Sequence, residues 1–109
     1  MEFKDFVLEK LKNAGEVKAK PMVGTHNIVL DGVNLGIICT QMWDSGRWYL
    51  KKTVAGDEFL RASNITLETG INDKSYIITD FSNEEMLCDL VKVTWGELAK
   101  AKHIKLVGG

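Results

Sequence analysis

"LDGVNLGIICTQMWDSGRWYLKK", residues 30–52, carries the turn chemistry from which the fold can be read. Asp31-Gly32 suits a two-residue type I′ hairpin turn, in which both central residues adopt positive φ. Residues 27–31 and 33–39 then read as paired strands. Strict alternation puts Ile28, Leu30, Val33, Leu35, Ile37 and Cys39 on one face, which predicts a sheet with one side buried. Residues 47–52 form the next strand, with Trp48 and Leu50 alternating against Arg47, Tyr49 and Lys51. The connection between these strands, residues 40–46, is longer than a tight turn and holds Met42 and Trp43. Methionine and tryptophan are enriched at the cores of protein interfaces, and an enlarged loop is a natural place to display them. The structural alternative is that Trp43 folds back over a sheet edge.

Upstream, residues 2–14 predict an amphipathic helix: Phe3, Phe6, Val7, Leu11 and Ala14 share a face, and Gly15 stands where a left-handed C-terminal cap is expected. Residues 17–23 alternate as a strand, and Pro21, which lacks a donor, places it at an edge or ends it. Downstream, residues 53–62 read as a short helix, and residues 65–68 and 75–80 as a second hairpin. The final helix has the clearest start. Ser82 and Glu85 match a capping box, with Phe81 and Met86 at hydrophobic-staple positions. Leu87, Leu90, Val91, Trp95 and Leu98 follow as an apolar face, and Gly96 among them suggests close packing. The sum is an α+β fold: an antiparallel sheet of hairpins flanked by an N-terminal and a C-terminal helix, in a single domain spanning residues 1–109.

Composition narrows the function. With 109 residues the chain has room for one core, and 14 basic against 15 acidic residues argue against strong non-specific attraction to nucleic acid or anionic membrane. No apolar run approaches the roughly 20 residues that cross a bilayer. The first dozen residues alternate charge with hydrophobe rather than forming a signal peptide's apolar core, so a cytoplasmic protein with free thiols is expected.

The order of elements, with Lys20-Pro21-Met22-Val23-Gly24, Leu30-Asp31-Gly32, Gly46-Arg47-Trp48-Tyr49-Leu50-Lys51 and Tyr76 ahead of the last helix, resembles the TfoX N-terminal domain family. The resemblance covers about residues 5–101 and departs from the family pattern at Val23, at Thr25-His26 and in the longer loop before Arg47. It implies a bacterial regulator that acts through protein contacts at transcription, as the competence regulators of the family do. It supplies no catalytic residues. The family's larger members add a helical second domain, and these 109 residues correspond to the first alone.

Chemistry-bearing residues are few. Cys39 and Cys88 are far apart in sequence, Cys39 at the end of a core-facing pattern and Cys88 where a helix N-terminus could lower its pKa. His26 in a turn, oriented by Asp31 or Asp44, would be the general base of an enzyme, but no catalytic motif accompanies it. His103 sits among lysines at a helix end. No metal site or cofactor is expected from two histidines and two scattered cysteines. The terminal Gly108-Gly109 matches sulfur carriers in those two residues only, since those folds begin with a hairpin.

Two binding readings remain. In the first, a regulatory module meets a transcription-associated protein through its sheet face and loop, using Met42, Trp43 and Tyr49. In the second, Lys18, Lys20, Arg47, Lys51 and Lys52, with Tyr49 between them, form a basic stripe that binds nucleic acid weakly. A homodimer is compatible with either.

Overall fold

A computed structural model describes residues 2–39 and 46–107, the side chains of Ile71 and residues 102–107 excepted. Its elements are α1 (Phe3–Lys10), β1 (Val17–Met22), β2 (Thr25–Leu30), β3 (Val33–Cys39), β4 (Trp48–Lys51), α2 (Val54–Ala62), β5 (Glu68–Thr69), β6 (Ser75–Ile78) and α3 (Glu84–Val107). The strands form one antiparallel sheet in the order β1-β2-β3-β4-β6-β5. All three helices deliver side chains to one core on one face of it: Val7 and Leu11, Leu60, and Leu87, Leu90 and Val91 pack with Ile28, Leu30, Leu35, Ile38, Trp48, Leu50 and Ile78. This is the α+β architecture read from the sequence, with α2 as a third helix in the same layer.

The Asp31-Gly32 turn forms as its chemistry requires, with φ of 48° and 77°. Leu30 pairs with Val33, but the register then shifts: Val29 faces Asn34 and Ile28 faces Gly36, leaving Leu35 as the extra residue of a β-bulge. The bulge reverses the alternation beyond it. Val33, Leu35 and Ile38 enter the core, whereas Ile37 and Cys39 turn to the other face and are only half-buried. The uniform six-residue face expected from the sequence is therefore corrected at its last two positions. Gly36, at φ 140°, permits the bulge, because a Cβ there would stand 1.9 Å from the Tyr49 carbonyl oxygen.

Other boundaries differ in detail. Leu11 interrupts the first helix, and residues 12–14 continue as a 3-10 turn. Gly15 takes φ 138° and ψ −166°, an extended mirror-image conformation rather than a left-handed helical cap. Residues 65–67 are not strand; Ile65 and Leu67 pack against the core, and the pairing with β6 is confined to Glu68 and Thr69. The cap of α3 lies one residue later than the S-x-x-E pattern suggests. Asn83 Oδ1 accepts from the Met86 N–H at 3.1 Å, while the Ser82 hydroxyl donates to Asp80 at 2.7 Å. With Asn83 at the cap, Phe81 and Met86 leave the staple positions, and Phe81 instead meets Phe3 and Phe6 edge-on, with ring centroids 5.7 and 5.4 Å apart. Gly96 is exposed with nothing within 4 Å of its Cβ position, so the close packing expected there is absent. Helix α3 runs on to Val107.

Candidate interaction surface

Because the helices pack their core side chains on one side, the opposite face of the sheet is built mainly from strand side chains among the described residues. Residues opposite one another across a rung share a face, so the strand register defines this surface directly. One rung runs Lys20, Asn27, Ile37, Tyr49, Ile77, Glu68 from β1 to β5. It is cationic at one end, apolar through the middle and acidic at the other. Lys18, Val29 and Asn34 align beside it, as do Lys51 and Ser75. The displaced Ile37 and Cys39 are thus part of this surface because of the bulge.

A depression of about 440 Å³ opens on the same face, lined by Asn34, Gly36, Ile37, Cys39, Tyr49, Lys51, Lys74 and Ser75. A second hollow of similar volume lies at the helix side, walled by Phe3, Phe6 and Phe81 with Lys10, Thr79, Asp80 and Ser82. Its lysine is committed: the Lys10 ammonium sits 5.3 Å from the centre of the Phe6 ring and 2.9 Å from Glu84.

The basic residues singled out in the sequence divide between the two faces. Lys18, Lys20 and Lys51 lie on the outer face with Tyr49, but β2 and β3 separate β1 from β4, so the two lysine groups stand about 14 Å apart rather than on neighbouring strands. Lys52 leaves the stripe altogether. Its ammonium is 3.0 Å from Asp73 and 3.4 Å from Asp57, contacts that hold its pKa above the usual lysine range, the Asp73 hydrogen bond foremost. Arg47 is exposed immediately before β4. Met42 and Trp43, with the loop that carries them and with Asp44, lie outside the described residues.

Comparison with protein-family models, with curated proteins and with solved structures returned no match. The surface must therefore be read from its own chemistry.

The residues considered for catalysis are placed as follows. His26 lies within β2 rather than in a turn, opposite Pro21 and Ile38, and Asp31 is beyond the far end of the same strand. Its Nδ1 is buried without a hydrogen-bond partner, as is the Nε1 of Trp48. Cys88 is buried, its Sγ 3.5 Å from the Lys10 carbonyl oxygen, and burial pushes the thiol pKa up, opposite to the lowering expected from the helix terminus. Among the described residues no three His, Cys, Asp or Glu side chains converge as a metal site would require.

The most connected polar cluster is structural in form. The Tyr76 hydroxyl donates to Asp57, Thr53 Oγ1 accepts from the Gly56 N–H at 2.9 Å, and the Glu97 carboxylate accepts from the Val54 and Ala55 N–H groups at 3.3 and 2.9 Å. Glu97 thereby caps α2 from a neighbouring helix, a role with no local sequence signal. The outer apolar row was similarly hidden. An isolated glycine inside a strand pattern is a recognised sign of a bulge, so Gly36 could have revealed Ile37. Ile77 joins Tyr49 only because the chain crosses over through α2 to place β6, not β5, beside β4.

Proposed function

We propose that this chain is a small non-catalytic regulatory module that docks a protein partner on the outer face of its sheet. The row Ile37, Tyr49, Ile77, set between lysines at one side and Glu68 at the other, supports this reading. An apolar centre with an aromatic residue and a charged margin is the usual anatomy of a protein contact. Docking on the face also fits the sheet edges. Edge strand β1 carries Pro21, Lys18 and Lys20, and the opposite edge β5 has two residues, both features that discourage pairing with a further strand. The resemblance to TfoX-type N-terminal domains extends the proposal to a transcription-associated partner in the bacterial cytoplasm.

Affinity capture with tagged wild-type chain beside an Ile77→Ser bait tests the reading. A protein retained by the first and lost by the second, after nuclease treatment and with both baits folded by circular dichroism, is the expected outcome. Equal recovery by both would remove the outer face from consideration, and a parallel Trp43→Ala bait reports on the loop. The second reading, weak nucleic-acid binding, draws on the shared face of Lys18, Lys20, Lys51 and Tyr49. It requires binding that survives without protein and falls steeply as salt rises.

A further inference from the structure

The depression beside Gly36 has a composition more specific than a generic contact patch. Its lining holds Ile37 and Tyr49, Asn34 and Ser75, Gly36 and Cys39, and two lysines, Lys51 and Lys74. Among the described residues no carboxylate lines it. On the helix side, Lys4, Lys10, Lys12 and Lys52 each meet a carboxylate within 4.0 Å. Lys51 and Lys74 are both exposed, and neither ammonium meets a carboxylate among the described residues. These two cations are therefore uncompensated beside an apolar hollow. At about 440 Å³ the hollow is within the range of small-molecule sites.

We propose that this depression binds an apolar carboxylate, a small molecule whose short aliphatic or aromatic body lies on Ile37 and Tyr49 while its carboxylate is held by Lys51 and Lys74. Apolar contact provides the attraction, and the two cations select the sign of charge, since an ammonium on the same body would meet like charge. Asn34 and Ser75 add hydrogen-bonding groups, which favour a carboxylate over a bare hydrocarbon. The ligand site shares the outer face with the proposed partner surface but stands apart from that reading, because it is tested on the purified chain without a partner.

The experiment is a titration of nitrogen-15-labelled protein, at constant ionic strength, with hexanoate, acetate and hexylammonium in parallel. Hexanoate should shift the amides of Gly36, Ile37, Tyr49 and Ser75 saturably. Acetate lacks the body and hexylammonium has the wrong charge, so both should leave those amides in place at equal concentration. In a Lys51→Gln/Lys74→Gln double variant, with the rest of its spectrum unchanged, hexanoate binding should weaken about tenfold or more. Absence of a saturable shift at those amides, equal binding of hexylammonium, or unchanged hexanoate binding by the double variant would each overturn the proposal.

Discussion

Gly36 and Gly96 show how differently one residue type can matter. At Gly36 the backbone φ of 140° and the Tyr49 carbonyl oxygen 1.9 Å from the Cβ position leave no room for a side chain. Gly36→Ala must force β3 from β4 or rebuild the bulge, and is expected to lower stability by about 3 kcal/mol or to abolish folding, read by calorimetry. Gly96 lies exposed in α3 with nothing near its Cβ position. Gly96→Ala should therefore raise stability by about 1 kcal/mol, measured as an increased urea midpoint. Sequence could not rank these two. A glycine in a strand pattern and a glycine in a helix pattern are both local irregularities, and what surrounds each is set by chain far away. Thr94 makes the same point from the polar side: it is fully buried with its hydroxyl unpartnered, at a position that the helical periodicity allots to a hydrophobe.

Among the elements, α3 separates a correct reading of a boundary from a correct reading of its cause. Its start was legible because Ser82-Asn83-Glu84-Glu85 is rich in capping and acidic residues ahead of an apolar run. Which residue caps could not be read, since Ser82 and Asn83 are both good candidates. The choice was made by Asp80, whose carboxylate takes the Ser82 hydroxyl and N–H and is held below the usual carboxylate range, the Ser82 hydroxyl contributing most. Asn83→Ala should accordingly cost about 1 kcal/mol in thermal or urea unfolding, and Ser82→Ala distinctly less. A result in the opposite order would return the cap to Ser82. Strand β3 shows the same division. Its existence and turn followed from Asp31-Gly32, but the bulge moved Ile37 and Cys39 to the outer face, and with them the surface on which binding is proposed.

For the molecule as a whole, the network around Tyr76 ties β6 to α2 and gives the fold a distinctive alkaline response. Burial, and then the hydrogen bond to Asp57, push the Tyr76 hydroxyl pKa above its ordinary 10.0. In an unfolded chain it ionises near that ordinary value, so above it the native state holds more protons and stability falls as pH rises. The contribution is complete below about pH 10 and is lost on climbing toward the folded value. Lys52, also raised, acts in the same direction. Melting temperatures across about pH 9 to 11 should drop steeply for the wild type and less steeply for Tyr76→Phe. Parallel slopes would show that Tyr76 does not titrate with unfolding. From the sequence alone came the α+β class, the antiparallel hairpins, the choice for β1 between a sheet edge and a strand end at Pro21, and the amphipathic helices. These depend on turn conformation and apolar periodicity, which are local properties of the chain. Only the tertiary structure decided that β6 lies beside β4, that Lys52 is neutralised while Lys51 and Lys74 are not, and that Ile37, Tyr49 and Ile77 form one row. Those outcomes depend on which strands meet after a crossover and on where one extra residue enters a ladder, and no short stretch of sequence carries that information.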